Sequence, residues 1–325
     1  GDNLIIQSCT IADPRIWWPS GQGEQPLYDL VTNLDGETTT RKIGLRQLEW
    51  IVEKDEIDHS FKCRINERDI TMMGANWIPA DAIPSRIAPE AVRDLLESAK
   101  AANYNMLRVW GGGQYEPDWF YDLCDELGLM IWHDFMFACA EYPEDQEWFV
   151  ENVRDEITKA VKRLRNHPCI ALWCGNNEND WLSGFNFRGK DGKCSYFYGE
   201  NIGHIVCPEV CSTHDPLRVY WPSSPFGGDN PNCEELGDRH AWNVSIIERE
   251  LSVRADVRNY RKDRGKFNSE YGVISYALPQ TILDYTLDPN IDLKSAAYKV
   301  HDNSFNAGVT ETESLTDWYL KVGFG

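Results

Sequence analysis

Two glutamates stand in settings that invite a chemical reading. Glu178 follows Gly175-Asn176-Asn177, and Glu270 sits between Asn268-Ser269 and Tyr271-Gly272. Such a pair is what breaks a glycosidic bond. One carboxylic acid protonates the leaving oxygen, while a carboxylate across the anomeric carbon attacks it or activates water. A lone Glu after a strand is ordinarily a surface residue. Two of them, set among Asn, Trp and His, shift the reading toward catalysis. For the pair to work, one must stay ionised. The other must have a raised pKa, because a nearby like charge and desolvation both disfavour its anion. No metal or cofactor is required for this chemistry.

The elements that must position these groups are legible from about residue 71 onward. Pro89 sits where a first helical turn begins, and Val92, Leu95, Leu96 and Ala99 recur at helical spacing. Met106-Leu107-Arg108-Val109-Trp110 reads as a strand closed by Gly111-Gly112-Gly113. Phe120, Leu123, Cys124 and Leu127 mark a helix stopped by Gly128. Leu129-Met130-Ile131-Trp132 is the next strand, ending at His133-Asp134. A helix runs from about Glu147 to Arg165 and is ended by Asn166-His167-Pro168. Strand four is Ile170 to Cys174. Later candidates are Arg218 to Trp221, Arg239 to Trp242 and Lys266 to Ser269, and Thr71 to Ala75 supplies the first strand of the series.

Buried strands alternating with helices imply a parallel sheet with right-handed crossovers. Polar residues follow nearly every strand: Asn76, Arg108, Asp134, Glu178, Ser223, His240 and Glu270. In a (β/α)8 barrel these positions converge on one mouth, with strands four and seven facing each other; in an open sheet they could not surround one substrate. The expected fold is therefore α/β, a TIM barrel spanning 71–325. No eighth strand is recognisable after Glu270, apart from a short helix near Leu315 to Val322, so the barrel is expected to be truncated before closure. Residues 1–70 keep the near-alternating apolar spacing of β structure, with turn formers at Asn33-Leu34-Asp35-Gly36 and Asn66-Glu67-Arg68-Asp69. That is too little chain for a whole sandwich and reads as the end of one.

Several motifs together resemble the β-mannosidases of glycoside hydrolase family two. They are Gly175-Asn176-Asn177-Glu178-Asn179, Asn268-Ser269-Glu270-Tyr271-Gly272, Trp18-Pro19 with Gly23-Glu24-Gln25-Pro26-Leu27-Tyr28, and Gly74-Ala75-Asn76-Trp77-Ile78-Pro79. Arg108-Val109-Trp110-Gly111-Gly112-Gly113 and Trp132-His133-Asp134-Phe135-Met136-Phe137 complete the set, which covers most of residues 17–272 in order. His133 stands where that family commonly has a neutral polar residue. The resemblance implies a retaining, exo-acting hydrolase that removes terminal β-D-mannose from β-linked mannosides. Glu178 would be the acid/base, Glu270 the nucleophile and Asn177 the ligand of the sugar 2-hydroxyl. Trp110 would form part of the pocket floor, and Asp134 would bind hydroxyls or serve as partner to a neighbouring Arg. His240 and Trp242 would belong to the pocket wall or to the core. It also implies a sugar-binding jelly-roll domain upstream, an immunoglobulin-like β-sandwich ending near residue 70 and a further C-terminal segment of the same polypeptide. Two other readings stay open: an exo-β-D-glucosaminidase or another family-two exo-glycosidase, and a non-catalytic carbohydrate-binding relative or inactive fragment.

Composition narrows the partners. A net charge of −20 with no Lys/Arg-rich run repels phosphate backbones, which argues against nucleic acid. No apolar run approaches the roughly 18 residues that span a bilayer. Residues 1–10 lack the pattern of a signal peptide, so the numbering is expected to begin inside a longer protein. Of the 13 Trp, most read as core, and those beside Gly, Asn or His at strand ends can stack on a sugar face. Ten cysteines fit no zinc spacing. Cys169 and Cys174 read as buried thiols. Cys194, Cys207, Cys211 and Cys233 could be free, form disulfides, or join His204 at a metal. The sequon Asn243-Val244-Ser245 falls on an expected strand.

Overall fold

The computed structural model describes residues 6–54, 58–186, 197–242, 256–272, 276–301 and 320–321. Cys194, the sequon and most of the expected helix near Leu315 lie outside them. A two-stranded hairpin comes first, β1 (Tyr28–Leu34) and β2 (Glu37–Ile43), turning at Asp35 and Gly36, both with positive φ. A three-stranded antiparallel sheet follows: β3 (Leu48–Ile51), β4 (Lys62–Ile65) and β5 (Arg68–Ile70). Asn66 and Glu67 make its second turn in left-handed conformations, as their place in the expected hairpin requires.

The strand–helix series then runs β6 (Gly74–Trp77), α1 (Pro89–Ala101), β7 (Met106–Val109), α2 (Asp118–Leu127), β8 (Met130–Asp134), α3 (Glu147–Leu164) and β9 (Ile170–Cys174). After β9 come α4 (Asn179–Asn186), a π-helical turn over Ile202–Val206, α5 (Cys207–His214), β10 (Tyr220–Trp221), β11 (Asp238–His240) and β12 (Phe267–Glu270). Two further helices, α6 (Pro279–Thr286) and α7 (Ala296–His301), follow.

Strands β6 to β10 form one parallel sheet in sequence order, and β11 pairs in parallel with β12. Every residue of β7, β8 and β9 is buried, which is why they read as continuous apolar runs. The helices cover the sheet with one stripe each. α1 buries Val92 and Leu96 but leaves Leu95 half exposed, and α3 buries Val153, Ile157, Ala160, Val161 and Leu164. Gly128 ends α2 in the left-handed conformation, its N–H on the Cys124 carbonyl.

The two sheets curl toward each other. Trp221 Nε1 donates to Asp238 at 2.8 Å, joining β10 to β11, and Asn76 Nδ2 donates to the Ser269 carbonyl at 3.2 Å, joining β6 to β12. No strand occupies the space between β6 and β12 among the described residues. A cavity of about 520 Å³ opens there, bordered by Gly74, Asn76, Met106, Arg108, Phe267 and Glu270.

The three-stranded sheet packs against the opposite ends of these parallel strands. Trp50 and Phe61 pack on Trp132, Trp221 and Phe267 with ring centroids 4.7 to 6.2 Å apart. Trp50 Nε1 donates to Ala171 O, and Arg46 donates to the Pro168 and Ile170 carbonyls at the start of β9. The strand ends opposite this plug therefore remain free to carry a site.

Candidate active site

Each strand presents its last inward-facing residue to the mouth, and alternation decides which one. On β7, Leu107 and Val109 face the helices, so Arg108 points inward. Its Nη1 reaches Glu270 Oε1 at 2.5 Å and Asn76 Oδ1 at 3.0 Å. Its Nη2 reaches Asp134 Oδ2 at 2.8 Å and Asn177 Oδ1 at 2.7 Å. Burial opposes the guanidinium charge, but Asp134 and Glu270 outweigh it and hold Arg108 protonated. Asp134 is fully buried beneath it, receiving Arg108 on both oxygens, Gly111 N at 3.0 Å and Trp132 Nε1 at 2.9 Å. Its place is that of the arginine's anchor.

Glu178 lies where β9 turns into α4. Its φ is +64°, a left-handed conformation costly for a residue with a Cβ, and neighbours hold it there. Its N–H donates to Ser224 O at 2.8 Å, and its carbonyl accepts from Leu182 N at 2.8 Å. The preceding Asn176 ties the turn together, accepting from Asn179 N and Ser223 Oγ and donating to Pro222 O. The carboxyl thus points into the mouth toward β12.

The pair converges on one imidazole. His240 Nδ1 is 2.7 Å from Glu178 Oε1 and 3.3 Å from Glu270 Oε2, and a carboxyl oxygen of each glutamate lies within 4.8 Å of the other. Trp242 Nε1 donates to Glu270 Oε2 at 3.0 Å. Burial, then the charge of Glu270, pushes Glu178 up to about 7, against the opposing pulls of Cys139 and Arg108. Burial, with Arg108 nearby, holds His240 well below the ordinary histidine value, so its ring is neutral.

Among the expected site residues, Glu178, Glu270, Asn177, His240 and Trp242 are thus joined in one hydrogen-bonded group with Arg108. Asn177 uses its Oδ1 on Arg108, which fixes its Nδ2 toward Cys139 Sγ at 3.4 Å. Trp110 stands at the rim after β7, its ring lying over Gly112, where an added Cβ would come within 2.0 Å of it. His133 is not at the mouth. It faces the helices, between Tyr121 Oη at 2.8 Å and the Asp134 carbonyl at 2.7 Å, and burial lowers it to about 4.

Sequence reasoning placed Arg108 at the mouth by its position after a strand but gave it no role of its own, and it missed Cys139, Ser224, Ser269 and Asp238. The described cysteines are all free thiols, and His204 bonds Asp180 at 2.6 Å rather than joining cysteines. A second carboxylate–imidazole–thiol group, Asp125 with His167 and Cys169, lies away from the mouth. There Asp125 also accepts from the Cys169 N–H, an internal tie between α2 and β9.

A parallel α/β sheet bringing carboxylates to one end is the class of fold and site seen in barrel glycosidases. No family model matches the chain. Curated relatives do: the chain is 38% identical over 295 residues to beta-mannosidase B of Aspergillus terreus and 36% identical over 294 residues to that of Emericella nidulans. Each match covers 86% of this chain and 34% of the relative. The chain therefore spans about a third of the length of the curated relatives it matches. The crystal structure of a beta-D-mannosidase from Dictyoglomus thermophilum superposes with a TM-score of 0.78 at 46% identity, over 85% of this chain and 34% of that one. An exo-chitosanase from Amycolatopsis orientalis shares the fold at 20% identity and a TM-score of 0.51, over 66% of this chain and 24% of that one. The resemblance carried by the motifs thus holds along the chain: in particular, it is similar to the beta-mannosidases.

Proposed function

We propose that this chain carries the catalytic centre of a retaining, exo-acting β-mannosidase, with Glu178 as acid/base and Glu270 as nucleophile. The observation that carries the reading is the convergence of Glu178 and Glu270 on His240 Nδ1, with oxygens within 4.8 Å of each other. Carboxyl groups roughly 5–5.5 Å apart suit double displacement, whereas inversion needs roughly 6.5–9.5 Å to admit water. In the first step Glu270 attacks C1 as the proton of Glu178 passes to the leaving oxygen. In the second, Glu178 takes a proton from water, which displaces Glu270. Arg108 and Trp242 hold the Glu270 carboxylate with charge-assisted and neutral donors, fixing its aim. Asn177 serves the sugar 2-hydroxyl, Trp110 the pocket floor and Trp242 the wall beside the nucleophile, while Asp134 acts through Arg108.

The same reading assigns residues 1–70 to the end of an immunoglobulin-like domain and 71–325 to the barrel. An eighth strand of the same polypeptide would fill the cavity between β6 and β12, where, among the described residues, neither facing strand edge has a strand paired to it. The test is chemical rescue in the full-length protein. Glu270→Ala should abolish turnover of an aryl β-mannoside, and azide should restore it with a glycosyl azide of inverted configuration as product. Rescue of Glu178→Ala with that inverted product would exchange the two roles.

A further inference from the structure

Asp238, at the start of β11, is fully buried and surrounded by donors. Trp221 Nε1 and Phe226 N reach its Oδ1 at 2.8 and 2.9 Å, and the hydroxyls of Ser224 and Ser269 reach its Oδ2 at 2.6 and 2.5 Å. The two hydroxyls are also 3.2 Å from each other and Ser269 Oγ is 3.3 Å from the Arg239 carbonyl, but the contacts to Asp238 are the shorter by more than half an ångström, so each serine commits its single O–H to the carboxylate. Ser224 Oγ also lies 3.2 Å from His240 Nε2. With its own proton spent, it meets the ring only as an acceptor, and Nε2 must carry the hydrogen. A neutral imidazole so fixed has a bare lone pair at Nδ1, the atom that faces Glu178 at 2.7 Å and Glu270 at 3.3 Å.

We propose that His240 is a positioning residue that keeps the acid proton on Glu178: the Asp238–Ser224 pair fixes the ring as its Nε2–H tautomer, and Nδ1 accepts a hydrogen bond from the protonated Glu178 carboxyl. The inference rests on Glu178 serving as the acid. Its consequence is directional. While Glu178 holds its proton, Nδ1 is satisfied. Once the proton passes to the leaving oxygen, the new carboxylate faces a lone pair, so the bond that held the acid now favours recapture of a proton from water. The ring itself neither gains nor loses a proton over the cycle.

The surroundings agree. The charged groups facing His240 are Glu178 after β9, Glu270 on β12, Arg108 on β7 and, through Ser224, Asp238. Trp181 closes the remaining side edge-on, with ring centroids 6.0 Å apart. The backbone is clamped independently, His240 N donating to Asn232 Oδ1 at 2.9 Å and its carbonyl accepting from Asn232 Nδ2 at 3.0 Å. The ring can therefore be changed without releasing the loop.

Two measurements on the full-length protein test this. In 15N NMR with labelled histidine, His240 should show a protonated Nε2 and a bare Nδ1 at the pH where Glu178 holds its proton; a proton on Nδ1 would overturn the proposal. In kinetics, His240→Leu should lower kcat/KM for an alkyl β-mannoside at least tenfold more than for the dinitrophenyl β-mannoside, whose leaving group needs no proton. It should also move the alkaline limb to lower pH. His240→Asn, whose amide oxygen reaches the place of Nδ1, should restore both. Equal losses on both substrates with an unmoved limb would reduce His240 to a structural role and sink the idea. If the unsubstituted protein shows the Nε2–H tautomer but turns over neither mannoside, the hydrogen-bond assignment stands and the β-mannosidase reading fails.

Discussion

Arg108 and Glu270, on strands β7 and β12, meet at 2.5 Å in a pocket where both are buried, and Asp134 holds the same guanidinium from below. One cation therefore serves two carboxylates, and its removal strands both. Breaking a buried pair by deleting one partner costs about 3–5 kcal/mol. Arg108→Met is thus expected to lower stability by about that amount, as read by urea unfolding, and turnover by about 100-fold or more. Asp134→Asn should spare the fold more but still depress kcat, because Arg108 loses its anchor. An Arg108→Met protein of normal stability and activity would show that Glu270 is held by other donors.

The position of Glu178 near pH 7 makes a claim about stability as well as rate. Its folded pKa lies above the ordinary value of 4.5, so the folded state binds the proton more tightly than the unfolded chain. Its contribution is complete below about 4.5 and is lost as pH rises through about 7. Glu178→Gln removes that loss. The variant should gain in melting temperature relative to the parent as pH rises from about 4.5 to about 7 and keep that gain above it, with a ceiling of about 3 kcal/mol. A constant difference in melting temperature across the pH range would place the Glu178 carboxyl at an ordinary pKa.

The strand ends opposite the site are covered by Trp50 and Phe61, which reach Trp132, Trp221 and Phe267. Trp50 is nearly fully buried and spends its indole N–H on Ala171 O. Truncating a buried Trp costs about 3–5 kcal/mol. Trp50→Ala should destabilise by that order in denaturant unfolding and should loosen β8 and β9 in hydrogen exchange. Unchanged protection of those strands would mean that the N-terminal sheet packs on the parallel sheet without supporting it.

How much of this could be read from the chain alone depended on burial. β7, β8 and β9 were legible because both of their faces are covered, leaving unbroken apolar runs. β6 was misplaced: Thr71 to Ala75 was expected, but the strand runs Gly74–Trp77. Asn105 explains the shift, since its side chain accepts from Met73 N and donates to Thr71 O, holding 71–73 as a connector. The carboxylate pair was legible from its neighbours in sequence. Asp238 and Ser224 were not, because each gains meaning only from partners brought to it by folding. Cys139 touches both Asn177 and Glu178, and nothing in its flanking residues marks it.

Substrate choice gives the last expectation. A β-mannoside differs from a β-glucoside only in the orientation of the C2 hydroxyl, so discrimination must come from groups that reach that position. On the proposed reading that group is Asn177. Arg108 occupies its Oδ1 at 2.7 Å, so the amide cannot turn over without facing a donor with a donor; Nδ2 points one of its two hydrogens at Cys139 Sγ, 3.4 Å away, and the other is the donor it would offer a ligand. A buried donor that finds its hydroxyl pointing elsewhere goes unpaired, at about 1–3 kcal/mol, roughly tenfold to a hundredfold in rate. The full-length protein is therefore expected to prefer aryl β-mannoside over β-glucoside by at least about tenfold in kcat/KM. Asn177→Ala should lower kcat/KM more than it weakens ground-state binding, because the contact strengthens as charge develops at C1. The measurement is kcat/KM for the mannoside, glucoside and glucosaminide side by side, in the parent and in Asn177→Ala. A parent that prefers the glucosaminide would move the substrate to an amino sugar and leave the roles of Glu178 and Glu270 unchanged. A variant that loses only binding would remove Asn177 from the transition state.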